Sequence, residues 1–336
     1  MPTNNKDEHM DEEHNRFTIG DYLDGNRVST GDVRRFTGIP TFLKAPLLGD
    51  VENPTVGIVG VPYDGGTIRT PGSRFGPRAI RDYGWRLNEY NAELGVNPYA
   101  CHNIVDCGDI VLSPLSITDT CQSIELGIAS LIKQGLVPVS VGGDHFITHP
   151  ILRAIHAEHG KVALIHFDAH TDTADECYGQ KLNHGTMMRR AIEEDLIDGD
   201  KLIQVGIRKI FFEGELDYHA EHGIEVISAR NLKVMGADVR NELKKHFQRL
   251  RGHKVYVTFD IDFVDPAYAP GTGSPEVGGP TSDETLECIR ALQGLDIVGF
   301  DLNEVSPPYD VRDLTSLLSV QILYEMVSVL APTLIK

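Results

Sequence analysis

The chain has 336 residues, 41% of them hydrophobic and 24% charged, and carries a formal net charge of −18. That length admits one large α/β domain or two small ones, and the composition is that of a globular protein. The acidic balance excludes nucleic acid as a partner, because phosphate binding needs basic patches and none is visible, whereas it suits a small cationic ligand.

The first 15 residues read as a disordered acidic tail, and residues 16–53 as a lead-in to a single domain over 54–336. The N-terminus lacks the basic-then-apolar order of a signal peptide, and no stretch is apolar for long enough to cross a bilayer, so no membrane association is expected. The five cysteines are Cys101, Cys107, Cys121, Cys177 and Cys288. They form no CxxC pair, and their odd number suits a reducing compartment, which makes the cytoplasm the expected location.

From residue 56 onwards short apolar runs alternate with helical patterns. Strands are expected at 56–60, 136–141, 162–167, 202–206, 255–259 and 296–301, with a weaker one at 224–227. Helices are expected at 117–133, 147–158, 238–249, 282–292 and 314–330. This alternation predicts an α/β fold with a mainly parallel sheet, without deciding between an open sheet and a closed barrel.

Four of these strands finish in polar residues. "PVSVGGDH" ends in Asp144 and His145, and "ALIHFDAHTD" in Asp168, His170 and Asp172. "VYVTFDIDFVDP" ends in Asp260 and Asp262, and "IVGFDLNEVSPP" in Asp301 and Glu304. Side chains two apart in an extended chain share a face, so Asp168, His170 and Asp172 point the same way. Sites in parallel α/β folds form at the carboxyl ends of strands, so the four clusters are expected to converge. Burying such groups together calls for a cation. Two histidines and four aspartates, without thiolate, suit Mn²⁺, Ni²⁺, Co²⁺ or Fe²⁺, and bridging aspartates would let six side chains hold two ions about 3.5–4 Å apart.

The motifs "GGDH", "DAHTD", "HGTMMRR", "TFDIDFVDPAYAPGTGSPEVGG" and "EVSPPYD" resemble those of the ureohydrolase family of arginase and agmatinase, from about residue 36 to the C-terminus. "GTIRTPGSRFGPRAIR" and "PGTGSPEVGG" are most similar to its agmatinase and guanidinobutyrase branch. The resemblance implies a three-layer α/β/α sandwich and two divalent ions per chain, manganese by family with nickel as the alternative. It also implies trimers or hexamers of one chain, with a related partner subunit as a further option. Position by position, His145, Asp168, Asp172 and Asp260 would hold one ion. His170, Asp168, Asp260 and Asp262 would hold the other, with Asp168 and Asp260 bridging. Glu304 would pair with a small cationic guanidino substrate, and His184 would carry a proton to the departing amine. The products would be urea, or a urea analogue, and an amine.

Asp144 and Asp301 are expected to orient ligands from behind, His166 to be a hydrogen-bonded core histidine, and Asp265 to be structural. Phe146, Arg208, Phe211 and Phe212 are expected to shape substrate binding: the phenylalanines as an apolar wall poor for an α-amino acid tail, Arg208 as a receiver of a carboxylate. A guanidine, biguanide or alkylguanidine hydrolase and a catalytically silent subunit are the rival readings.

Overall fold

The structure, a computed structural model, describes residues 38–84, 88–210 and 212–331. The expected tail at 1–15 lies outside the described residues, as does most of the lead-in. Pro40 onwards forms one unit, and Phe42 and Leu43 of the lead-in are buried in its core. Among the described residues the strands are β1 (Val56–Val61), β2 (Ile104–Asp109), β3 (Val137–Gly142), β4 (Val162–Phe167), β5 (Ile197–Ile207), β6 (Glu225–Ser228), β7 (Lys254–Asp260) and β8 (Asp296–Asn303). They lie in the order β2-β1-β3-β8-β7-β4-β5-β6, and every pairing is parallel. β2 and β6 form its two ends, so the sheet is open and not a barrel.

The period-two rule divides the interior into two cores. Along β4, Ala163, Ile165 and Phe167 face one core and Val162 and Leu164 the other; along β7, Val255, Val257 and Phe259 part from Tyr256 in the same way. Helices Val239–Phe247, Ser282–Arg290 and Leu314–Leu330 cover the first face, and Ile117–Lys133 and Thr148–His159 the second. The result is the three-layer α/β/α sandwich. Burial on both faces explains why the central strands read as continuous apolar runs.

Two kinds of element escape the sequence pattern. β2, "IVDCGD", pairs only with β1 and carries a buried aspartate, so it lacks an apolar run. That aspartate, Asp106, accepts from Arg81 Nε and from the Phe42 N–H, both at 2.9 Å. Helices Gly76–Tyr83, Met187–Glu193, Gly214–His222 and Ala229–Met235 are too short to show a sustained 3.6-residue period.

The strand order places the chemistry. β3, β8, β7 and β4 are consecutive in the sheet, and because they are parallel their carboxyl ends share one edge. These are the strands that the four polar clusters follow.

Beneath this edge, helices Ser282–Arg290 and Leu314–Leu330 are joined by a buried ion pair. Arg290 Nη2 lies 2.6 Å from Glu325 Oε1, and Nε lies 3.1 Å from Oε2. Asn91 Nδ2 also donates to Oε2 at 2.9 Å, and Glu325 is 1% exposed. Arg290 Nη1 also lies 2.6 Å from Glu287 Oε1, so losing Glu325 leaves the guanidinium one partner. Glu325→Leu should therefore cost less than the ~3–5 kcal/mol of a fully stranded charge, on the order of 1–3 kcal/mol, seen as a lower urea midpoint, while ion uptake per folded chain stays at the wild-type level.

Candidate metal centre

Each cluster is aimed by a tight local structure. β3 leads through Gly143, where a Cβ would lie 1.7 Å from the Tyr63 carbonyl oxygen; only glycine allows that approach. Asp144 then caps a one-turn helix, His145–Ile147, by accepting the Phe146 N–H at 3.2 Å. After β7, Asp260 accepts the Asp262 N–H at 2.8 Å and begins a similar turn. Asp172 and Glu304 have φ of +51° and +62°. Such left-handed backbone is uncommon outside glycine and concentrates at functional sites.

The six expected ligand residues come together in two groups. His145 Nδ1 lies 3.0 Å from Asp168 Oδ2, 3.2 Å from Asp172 Oδ2 and 3.3 Å from Asp260 Oδ2. His170 Nδ1 lies 3.0 Å from Asp262 Oδ2 and 3.4 Å from Asp168 Oδ1. Asp168 thus offers one oxygen to each group. Asp260 turns Oδ2 towards His145, while its Oδ1 is taken by the Asp262 N–H.

The donor chemistry fits a cation. His145 Nε2 sits 2.8 Å from the Thr258 hydroxyl, whose own proton goes to Asp301. Nε2 is therefore the donor, and Nδ1 faces three carboxylate oxygens. Nδ1 nevertheless makes no hydrogen bond to any of them. A fully buried nitrogen aimed among several oxygens is placed for a shared ion. Asp301 takes further bonds from Tyr256 (2.6 Å) and Thr148 (3.1 Å), so it orients His145 through Thr258. His166 is buried as expected, and it reaches the centre: its Nε2 donates to Asp168 Oδ2 at 2.7 Å, and Gln204 Nε2 lies 3.0 Å from its Nδ1.

The carboxylates do not share one electrostatic fate. Burial works against charge on Asp168, yet His166, His145 and His170 together hold it well below the usual carboxylate range. Burial, with the negative charge of Asp262 and Asp168, pushes Asp260 well above that range. Burial and Asp168 push Asp262 up to about 6. The cluster retains protons that a divalent ion would displace.

Beside the centre opens a cavity of about 530 Å³. Its floor is His170, Asp172, Asp260, Asp262 and Glu304; its walls include Ile68, Arg69, Tyr178, His184, Phe212 and Ser274. Glu304 Oε1 lies 2.8 Å from His184 Nδ1 and accepts the His145 N–H at 3.0 Å. Asp144 accepts the Gly66 N–H at 2.6 Å, and the Gly66 carbonyl accepts the His184 N–H at 3.1 Å. Asp144 thus holds the loop behind His184 while it caps the turn that carries His145.

Other expectations are corrected. Phe146 is fully buried and packs against Tyr63 and His149, with ring centroids 6.3 and 6.1 Å away, so it is core and not wall. Arg208 receives no carboxylate: its guanidinium donates to backbone carbonyls, among them Asp262 (2.7 Å), Glu276 (2.8 Å) and Phe263 (3.1 Å). His219 is buried against Thr173. Phe212 does line the cavity, and Phe211 lies outside the described residues. Ile68, Arg69, Tyr178 and Ser274 were missed, because they sit in loops without periodic signal. Ile68, Arg69 and Ser274 do lie within the motifs "GTIRTPGSRFGPRAIR" and "PGTGSPEVGG".

The arginase family model matches residues 54–328. The chain belongs to the arginase family. It is a C–N hydrolase by that membership. It is 42% identical to the guanidinobutyrase of Pseudomonas aeruginosa, over 89% of this chain and 94% of that one. It is 40% identical to the mitochondrial guanidino acid hydrolase of Homo sapiens, over 89% of this chain and 84% of the relative. Among solved structures, proclavaminate amidinohydrolase from Streptomyces clavuligerus superposes with a TM-score of 0.82 at 38% identity, covering 88% of this chain and 98% of its own.

Protons and metal ions compete for the imidazoles of this centre. Burial alone would lower His145 and His170, but the surrounding carboxylates raise both well above the ordinary imidazole value. Both rings therefore favour a second proton, which a metal ion would have to displace. Titrating Mn²⁺ into the chain should release protons, and the apparent affinity should rise with pH as those protons leave. Calorimetry in buffers of different ionisation enthalpy measures this directly; a buffer-independent heat would contradict it.

Proposed function

We propose that the chain hydrolyses a small guanidino compound to urea and an amine, using two divalent ions, manganese or nickel. His145, Asp168, Asp172 and Asp260 would hold one, and His170, Asp168, Asp260 and Asp262 the other. The observation that carries the reading is the placement of the Glu304–His184 pair on the same cavity as both ligand groups. Bound there, divalent ions supply Lewis acidity and a water acidified towards neutral pH.

The chain's own residues supply the rest. Glu304, 4% exposed, offers a carboxylate to a guanidinium and so fixes its plane. His184 sits between opposing influences. Burial would lower it, but Glu304 outweighs burial and raises the imidazole to about 9. The Ile68 N–H, 3.2 Å from Nε2, favours the neutral ring instead. A guanidinium arriving at Glu304 cancels the field that holds the extra proton, so His184 becomes more acidic as substrate binds. That suits a donor to the departing amine.

The cavity wall supports a guanidino acid as the substrate class. Ile68, Tyr178 and Phe212 suit an aliphatic chain, and Arg69 is the one Lys or Arg lining the cavity among the described residues. With Arg208 committed to carbonyls, Arg69 is the group able to meet a tail carboxylate, and it would repel the tail amine of agmatine. Relatives named guanidinobutyrase and guanidino acid hydrolase accord with this, while others about as similar are named agmatinase. The aromatic wall equally suits alkylated guanidines and biguanides, which form the second reading. Assembly into trimers or hexamers is the accompanying proposal, resting on family resemblance.

Urea release across guanidino acids, agmatine, arginine, guanidine and a biguanide, with Mn²⁺ and Ni²⁺ each supplied, tests the substrate. Guanidino acids should lead and arginine should be poor. Phe212→Ser should reorder relative kcat/KM; arginine as best substrate would overturn the reading of the wall. His184→Asn should retain both ions while kcat falls by about 10²–10⁴. Loss of an ion in that variant would make His184 a ligand instead.

A further inference from the structure

The turn that carries Asp172 is gripped from a distant helix. Asp172 has left-handed backbone (φ +51°), a conformation that a non-glycine residue keeps only when its surroundings enforce it. Its neighbours on both sides do so: Thr171 and Thr173 each donate a hydroxyl to Oε2 of Glu215, the latter at 3.0 Å. The second oxygen, Oε1, accepts the Phe212 N–H at 2.9 Å. Glu215 is 2% exposed and begins helix Gly214–His222. One turn later on the same helix, His219 Nε2 donates to the Thr173 hydroxyl at 2.8 Å. Gln204 Nε2 donates to the Thr171 carbonyl at 2.6 Å.

We propose that Glu215 is a positioning residue: one oxygen sets the Asp172 turn through Thr171 and Thr173, and the other sets the cavity wall through the Phe212 backbone. Among the described residues, Glu215 is neither on the cavity lining nor in a ligand group. It therefore acts through other residues, and it links ion affinity to substrate tail preference through one buried carboxylate. The proposal rests on the metal-centre reading above.

Two variants separate the two arms. Thr171→Val/Thr173→Val removes both grips on the Asp172 turn and leaves the Phe212 bond; Glu215→Ala removes both arms. Near-ultraviolet circular dichroism establishes that each variant is folded, and calorimetric Mn²⁺ titration without substrate reads the centre. The double variant should bind its ions about 10–100-fold more weakly, the usual effect of losing an outer-shell partner. Its ratio of kcat/KM between long-tailed and short-tailed guanidino compounds should match wild type. Glu215→Ala should show the same loss of affinity together with a changed ratio. Thr171→Ser/Thr173→Ser, which restores the hydroxyls, should recover the affinity; a role confined to packing would not be rescued in this way. Wild-type affinity in the folded valine variant overturns the proposal, as does an unchanged ratio in Glu215→Ala. A valine variant that fails to fold while the serine variant binds weakly overturns it too. A wild-type chain that binds no ion overturns the metal-centre reading, and the proposal with it.

Discussion

Asp168 presents Oδ2 to His145 and His166 and Oδ1 to His170, while fully buried. A carboxylate in that position is tolerable because each oxygen meets an imidazole nitrogen, and the three imidazoles hold it well below the usual carboxylate range against the pull of burial. Its orientation is in turn set by His166, which Gln204 fixes from the neighbouring strand β5. A rotation of this one side chain would separate the two ligand groups. The surrounding layers serve to prevent it.

The charge excess follows from the same constraint. Asp168, Asp172, Asp260 and Asp262 meet His145, His166 and His170, three imidazoles against four carboxyl groups. The pocket therefore favours cations of any kind, and protons occupy it when metal does not. Glu304 extends the negative floor past the ligand groups to where a guanidinium would lie. Attraction for metal and attraction for substrate are thus one electrostatic field, graded from the sheet edge outwards. Arg69 is the one Lys or Arg on the lining among the described residues.

Rigid and adjustable parts are divided accordingly. The ligand residues follow directly from strands β3, β4 and β7, whose ladders and two-sided burial leave little freedom. The substrate wall is built from loops around Ile68, Tyr178 and Phe212, where side chains can change without disturbing a core. That division explains how relatives about 40% identical are named for different guanidino substrates. It also gives the loop anchors, Asp144 on Gly66 and Glu215 on Phe212, an importance that their distance from the chemistry conceals.

The sequence alone determined the strands that carry the polar clusters and offered the candidate ligand residues. Asp168, His170 and Asp172 were legible as a polar cluster at a strand end, but β4 stops at Phe167 and it is a left-handed turn, not period-two alternation, that brings Asp172 to His145. The sequence also showed four polar strand ends, and parallel strands must align such ends. What it left open was non-local. Hydrogen-bonded neighbours in a sheet are chosen by pairing across long stretches of chain, and only the folded order β3-β8-β7-β4 makes the four clusters adjacent. Within a one-turn helix, adjacent side chains diverge: His145 turns to the aspartates, while Phe146 turns to Tyr63. Arg208 looked free in sequence because the carbonyls that satisfy it come from two distant loops. Local pattern specifies what a strand presents; which surface meets it is decided only when the layers pack.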